Sequence, residues 1–332
     1  MSRDLIHGGA LDEMRAAYPD APEPWIDLST GINPWPYPYT ALSPSALTHL
    51  PLQTDQDACR QAMAVAFRAH APSILLAPGS ELLIRLLPDV LQPKRIAILS
   101  PTYGDHRAAW RRAGVEIIET NDPLNLAASV DLVVVTHPNN PDGRVFAPEA
   151  LEAARQTLAR RGGWLIIDEA YADLVPDQSL ATHGGADGLV VLRSFGKFFG
   201  LAGVRLGALL APEHIRTAMA GRLGAWPVSG AALQIGAEAY ANTDWQTQTR
   251  QTLSSVSARL KNILRAGGLD LIGGTSLFQY VSAPDAHYVF EHLARAGIYV
   301  RRFEHSATHL RMGLPATCEA EDRLAEALSL LT

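Results

Sequence analysis

An α/β fold, with a mostly parallel sheet in a large domain followed by a small α+β domain, is predicted by three features of the sequence. Short β-branched or leucine-rich runs alternate with helical stretches from Ser73 onward, which requires crossover connections and hence a parallel sheet. Those runs are apolar throughout instead of alternating with polar residues, as strands covered by helices on both faces must be. The 332 residues, 47% of them hydrophobic, suffice for one large core and a smaller companion.

The elements follow in order. The segment before Leu52 is crowded with proline and aromatics (Pro34, Trp35, Pro36, Tyr37, Pro38, Tyr39), so residues 1–40 read as an ordered arm, packed on the small domain and on a partner subunit. Strands of the large domain, residues 41–225, are predicted at Ile74 to Ala77, Arg95 to Leu99, Val115 to Ile118, Leu132 to Thr136, Trp164 to Asp168, Leu189 to Arg193 and Val204 to Leu210. Between them, segments such as Pro148 to Arg160 open on proline at a first helical turn and end at Gly162 and Gly163, the punctuation of a crossover helix. After Pro212 a helical tract runs from Val228 to Ala266, interrupted near Asn242. With it, residues 226–332 form a linking helix and a small domain whose strands Thr275 to Val281, Ile298 to Phe303 and His309 to Met312 surround the helix Ala286 to Ala296. Glu319 to Leu331 closes the chain as a helix.

Composition narrows the function classes. A formal charge of -6 with scattered arginines gives no basic stripe for nucleic acid. Cys59 and Cys318 are the only cysteines and lack metal-ligand spacing, so neither a disulfide scaffold nor a metal cluster is expected. Met1 to Gly9 carries charges and no apolar stretch, and apolar runs elsewhere are strand-sized. The expectation is a cytoplasmic protein without a membrane span.

Unusual residues stand just past the predicted strands: Gly79 and Ser80, Tyr103, Asn140, then Asp168 with Tyr171. In a parallel sheet these ends share one edge, where open α/β sheets bind their ligands. Ser194 to Arg205 reads SFGKFFGLAGVR, which adds Lys197 beyond one strand and Arg205 at the start of the next. A cation and a carboxylate therefore converge on one crevice. Each residue has a plainer structural reading: Asp168 as a helix cap, Lys197 as a solvated loop lysine, the tyrosines as core aromatics, Asn139 to Gly143 as a turn, Ser80-Glu81 as a helix start. Their coincidence at successive strand ends is what those readings leave unexplained.

Taken in order, Pro78-Gly79-Ser80, Pro101-Thr102-Tyr103, His137 to Gly143, Asp168-Glu169-Ala170-Tyr171, Lys197 with Gly200 to Arg205, and Leu310-Arg311 resemble the fold-type-I pyridoxal-phosphate enzymes related to histidinol-phosphate aminotransferase, over nearly the whole chain. The resemblance implies a large domain with a mostly parallel seven-stranded sheet plus a small α+β domain, a homodimer, and pyridoxal 5'-phosphate held as a Schiff base on Lys197. It further implies that Asp168 pairs with the pyridine nitrogen, that Tyr103 stacks on the ring, and that Asn140 and Tyr171 reach the phenolate oxygen. Gly79, Ser80, Ser194 and Arg205 would take the phosphate. Two positions depart from relatives: Gly196 stands where Ser or Thr precedes the lysine, and Leu50-Pro51 where a Tyr-Pro pair is usual. Each departure costs the cofactor phosphate one hydrogen bond, about 1 kcal/mol, or about 1.5 to 3 if charge-assisted.

The arm narrows the resemblance. His7-Gly8-Gly9 and Asp27 to Pro34 are similar to threonine-phosphate decarboxylases of cobalamin synthesis, which release carbon dioxide from L-threonine O-3-phosphate to give (R)-1-amino-2-propanol O-2-phosphate. By that resemblance Arg311 holds the substrate carboxylate, Arg301 or Arg302 assists, and His7 and Asn33 belong to the substrate end of the pocket. The plainer alternatives are a terminal histidine for His7 and a turn cap before Pro34 for Asn33. Two other readings stay open at this stage: a histidinol-phosphate aminotransferase, which shares every cofactor residue, and a cofactor-binding homologue without catalysis.

Overall fold

The structure is a computed structural model that describes residues 8–303 and 306–331. The chain divides into two compact units: a smaller one holding residues up to Trp35, Pro141–Gly143 and the chain from Thr247, and a larger one of Pro36–Asn140 and Arg144–Gln246. The strands are β1 Ile26–Leu28, β2 Ile74–Ala77, β3 Arg95–Leu99, β4 Glu116–Thr120, β5 Leu132–Thr136, β6 Trp164–Asp168, β7 Leu189–Ser194, β8 Gly207–Leu210, β9 Asp270–Thr275, β10 Phe278–Ser282, β11 Ile298–Phe303 and β12 Ser306–Gly313.

In the larger unit seven strands form one sheet in the order β2-β8-β7-β6-β5-β3-β4. The pairs from β7 through to β4 are parallel, whereas β8 runs antiparallel to both β7 and β2. The predicted strands recur here, and the reason is burial: Leu132, Val133, Val134 and Val135 are wholly enclosed, as are Ile166, Val190, Leu192 and Leu209. Apolar helix faces such as Leu83, Ile84 and Leu87 pack on them, with Trp110. The last strand differs in its start. It begins at Gly207 instead of Val204, because Ala202–Val204 forms a 3-10 turn and Arg205 takes a left-handed conformation with φ 56°, which no strand accommodates.

The reversal of β8 positions the site. Only the short 3-10 turn lies between β7 and β8, with no crossover helix, so the chain returns antiparallel and the start of β8 lands beside the ends of β7 and β2. The register puts Gly207 opposite both Ala77 and Ser194, while Asp168 stands between Thr136 and Leu192.

In the smaller unit β1-β11-β12-β10-β9 form a five-stranded sheet, antiparallel except for β1, which pairs parallel with β11. The run predicted as one strand from Thr275 to Val281 is a hairpin. Leu277 N–H donates to Thr275 Oγ1 at 3.1 Å, closing the turn between β9 and β10. The turn at Asp142-Gly143 seats on β9: Gly274 N–H donates to Asp142 O at 2.7 Å, and a Cβ at Gly143 (φ 73°) would fall 1.9 Å from Gly274 O. Only glycine fits there.

The helical tract breaks where expected, between Gly230–Ala241 and Thr243–Ala266. Asn242 causes the break, since its Oδ1 accepts from Trp245 N–H at 3.0 Å and so caps the second helix. Among the described residues no helix is long and apolar enough to cross a membrane.

Candidate active site

The corner formed by β2, β8 and β7 is built for close approach to the backbone. Gly79 (φ 89°) precedes the helix Ser80–Leu91, whose first N–H groups have no partner inside the helix. A Cβ at Gly79 would stand 2.9 Å from Arg205 Nη2, and one at Gly207 would stand 2.8 Å from Ser80 N. The Arg205 guanidinium therefore lies against this helix terminus, held by Ala202 O at 3.3 Å and 4.0 Å from Glu81 Oε2. Helix N–H groups, a neighbouring hydroxyl at Ser194 and a guanidinium make a donor set suited to a phosphate dianion.

Two strands away, Asp168 is buried, and both carboxylate oxygens are engaged. The Ala170 N–H donates to Oδ1 at 3.2 Å, and His106 Nε2–H donates to Oδ2 at 2.9 Å. His106 is a functional candidate that sequence reasoning missed. It lies in the first turn of the helix Gly104–Arg112, three residues past Tyr103, and that spacing to a ring-stacking candidate is the only local signal it offers. The loop after Asp168 is fixed by a buried ion network: Arg193 Nη1 donates to Glu169 Oε2 at 2.9 Å, Arg193 also bonds Asp173, and the Leu180 N–H donates to Glu169 Oε1 at 2.7 Å. Tyr171, buried, sits inside that braced loop. Asn140 follows a second brace, in which Thr102 Oγ1 donates to Asn139 Oδ1 at 2.7 Å and Asn139 Nδ2 donates to Pro101 O at 3.0 Å. The segments carrying Tyr103 and Asn140 are thus tied to one another.

Lys197 is partly exposed between buried Phe195, Phe198 and Phe199. Phe195 stacks on Phe199 with centroids 4.6 Å apart, and Phe199 stacks on Trp245 at 5.6 Å. Anchoring the neighbours leaves the lysine as the residue projected from the loop. Tyr37 joins this cluster through its N–H to Phe199 O at 2.9 Å, so the proline and aromatic segment from Pro36 on braces the lysine loop. Gly196 has a steric origin: a Cβ there would stand 2.7 Å from Ala202 Cα. The hydroxyl missing at this position is excluded by the tight return of the loop.

In the smaller unit the register puts Tyr280, Arg311 and Arg301 directly opposite one another across β10, β12 and β11, hence on one face of the sheet. Arg311 is buried, donates from Nη2 to Ser29 O at 2.8 Å and lies over the Phe278 ring. His309, two residues away on the same strand face, stacks on Tyr280 at 5.0 Å; burial, then Asp142, pushes the Tyr280 phenol up to about 12. Arg302 is not with them. It points to the other face, over the Phe290 ring at 4.8 Å and donating to His287 Nδ1 at 3.1 Å. Asn33 is buried, and its Oδ1 accepts from Trp35 N–H at 2.9 Å, the turn cap. His7 lies outside the described residues. The next residues are packed: Gly9 N–H donates to Ser29 Oγ at 2.8 Å, and a Cβ at Gly8 would meet Ser29 O at 2.5 Å. Ser29, unmarked as a site in the sequence, thus joins the chain start to Arg311.

Fold and strand-edge residues together define a cofactor enzyme of the aminotransferase class, and the comparison with known families agrees. A match to Aminotransferase class I and II covers residues 42–328, and the chain belongs to that family. Within it the similarity runs to threonine-phosphate decarboxylases. The chain is 42% identical over 326 residues to that of Pseudomonas aeruginosa, covering 98% of this chain and 97% of the relative. It is 41% identical over 334 residues to that of a Sinorhizobium species, covering 99% of each. Among solved structures, histidinol-phosphate aminotransferase from Sinorhizobium meliloti in complex with pyridoxal-5'-phosphate has a TM-score of 0.81 at 20% identity, covering 99% of this chain and 95% of that one. That likeness concerns the fold.

Proposed function

We propose that this chain decarboxylates L-threonine O-3-phosphate to (R)-1-amino-2-propanol O-2-phosphate with pyridoxal 5'-phosphate, the reaction of cobalamin synthesis that the arm motifs indicate. The observation that carries the proposal is the 42% identity, over 98% of the chain, to a threonine-phosphate decarboxylase. Histidinol-phosphate aminotransferase, the rival reading, shares the cofactor residues and the fold.

The bound cofactor supplies an electron sink for the pair left at Cα when the carboxylate departs. Lys197 would be its covalent anchor, and its amine would hold or deliver a proton at Cα. Asp168 keeps a proton on the ring nitrogen, and His106 keeps Asp168 oriented for it. The N-terminus of the helix Ser80–Leu91 and Arg205 bind the cofactor phosphate, with Ser194 beside them; Tyr103 covers the ring, and Asn140 and Tyr171 hydrogen-bond its phenolate oxygen. Arg311 binds the substrate carboxylate and Arg301 the substrate phosphate, with His7 and Asn33 at that end. Arg302, on the opposite sheet face, positions the helix Ala286–Arg295 instead. What selects carboxylate loss over proton loss is how these groups orient the two anions, since displacement of an ångström changes rates by about 100-fold.

The same reading makes the protein a cytoplasmic homodimer. Leu47, Leu50 and Leu52 near the start of the larger unit are exposed apolar side chains that a partner subunit would cover, and sedimentation velocity tests the dimer. The reaction is tested by supplying L-threonine O-3-phosphate alone, and separately histidinol phosphate with 2-oxoglutarate. Carbon dioxide from the first is expected. Glutamate from the second with no carbon dioxide from the first overturns the decarboxylase reading in favour of the aminotransferase.

A further inference from the structure

Ser29 stands directly after β1 and is wholly buried, yet each of its polar groups is engaged. Its N–H and its hydroxyl both donate to Asp27 Oδ1, at 2.8 and 2.6 Å. The same hydroxyl oxygen accepts from the Gly9 N–H at 2.8 Å, and the Ser29 carbonyl accepts from Arg311 Nη2 at 2.8 Å. The space around it is equally restricted. A Cβ at Gly8 would stand 2.5 Å from Ser29 O, and one at Gly313, two residues past Arg311 on β12, would stand 2.3 Å from Thr30 O. The segment is therefore pressed between Gly8 and β12, with no room to shift. The end of a strand does not require all this, since the Asp27 carboxylate bonded to the Ser29 N–H is enough to turn the chain. Nor does stability account for Arg311, which is 7% exposed, because a buried guanidinium stabilises a fold no more than a well-packed apolar side chain does.

We propose that Ser29, locked by Asp27, is a positioning residue for the substrate carboxylate, acting through Arg311. This rests on the reading of Arg311 as the arginine that binds that carboxylate. A guanidinium is a planar fork, and it grips a carboxylate with two hydrogen bonds only when the two planes are aligned. The Ser29 carbonyl on Nη2 and the Phe278 ring, whose centroid lies 5.0 Å from the guanidinium carbon, fix the plane of Arg311. The carbonyl keeps its direction only while its own residue cannot rotate. The Ser29 hydroxyl supplies that lock, since through it Asp27 and Gly9 hold the residue from two sides. Because an ångström of displacement changes rates by about 100-fold, the orientation that Ser29 imposes on Arg311 bears on which bond at Cα breaks, although Ser29 itself touches no reacting atom.

The test compares two ligands of the full-length holoenzyme that differ in the carboxylate. KM and kcat are measured for L-threonine O-3-phosphate, and an inhibition constant for the product (R)-1-amino-2-propanol O-2-phosphate, which keeps the amine and the phosphate but has no carboxylate. Ser29→Ala removes the hydroxyl and keeps the carbonyl, and Asp27→Ala removes the acceptor that locks it. Each variant is expected to raise the substrate KM about tenfold, the size of a charge-assisted hydrogen bond, and to leave the product inhibition constant within about twofold. A merely structural role moves both constants together. Equal weakening of substrate and product, or an unchanged KM, overturns the proposal. Asp27→Ala leaves the buried Ser29 side chain in place, so it reads out even where Ser29→Ala fails to fold. Arg311→Gln tests the underlying reading separately: it is expected to weaken the substrate and spare the product. If Arg311→Gln distinguishes the two ligands as the wild type does, the carboxylate role of Arg311 falls, and the positioning role of Ser29 with it.

Discussion

Replacing His106 with leucine removes the side-chain donor to a buried carboxylate and offers nothing in return. In the intact protein Asp168 accepts from His106 Nε2–H at 2.9 Å and from the Ala170 N–H at 3.2 Å, and the His106 and Asp168 side chains are 1% and 3% exposed. Water therefore has no route to replace the lost donor. A hydrogen bond to a charged group contributes about 1.5 to 3 kcal/mol, and leaving the carboxylate partly unsatisfied costs an amount of that order. Apo-protein stability should fall by about 2 kcal/mol, which displaces the urea midpoint measurably. Turnover should fall about 10- to 100-fold, because Asp168 is then free to leave the position from which it holds the ring-nitrogen proton, and each tenfold loss is about 1.4 kcal/mol. The substitution His106→Gln, by contrast, offers an amide N–H at the reach of Nε2 and should recover most of both losses. Urea denaturation of the cofactor-free protein, together with kcat on threonine phosphate, reads the two effects separately. If the leucine variant matches wild type in both, the reasoning about Asp168 is wrong.

Three further outcomes are expected. Lys197→Ala abolishes the visible absorbance of the cofactor complex, and borohydride trapping followed by peptide mapping yields no pyridoxyl adduct on Lys94 or Lys261, the other lysines of the chain; an adduct on either moves the anchor. Gly196→Ser, although it restores the hydroxyl found in relatives, lowers thermal stability by about 1 to 3 kcal/mol and weakens cofactor binding, because its Cβ meets Ala202 Cα at 2.7 Å; tighter binding in a cofactor titration would show that the loop yields. Glu152, hydrogen-bonded to Arg155, is held down at about 2 from an ordinary 4.5, so its contribution is present above pH 4.5 and lost as the pH falls toward 2. Glu152→Gln should cost at most about 1 kcal/mol at about pH 7, given the partly exposed pair, and progressively less at about pH 4 and 3 in urea midpoints; a constant gap would refute the assignment.

What the sequence determined by itself was local. The runs Ile74–Ala77, Arg95–Leu99, Leu132–Thr136 and Trp164–Asp168 are legible as strands because each is an apolar block bounded by turn chemistry, and such blocks fold the same way wherever the chain takes them. The family motifs, and with them Gly79, Asp168, Lys197 and Arg205, were equally visible, since each is a short string of unusual residues. Asn242 announced its helix break because an asparagine cap acts within three residues. Pairing across the chain was decided by tertiary structure alone. His106 and Asp168 are 62 residues apart, and only the strand order β6-β5-β3 brings the helix after β3 over the end of β6. Gly196 looked like a lost hydroxyl until the backbone of Ala202 was seen against it. Arg301 and Arg302 were interchangeable in sequence, yet a strand turns successive side chains to opposite faces. Which of the two shares a face with Arg311 depends on the register of β11 against β12, set by the packing of whole strands and unreadable from adjacent residues.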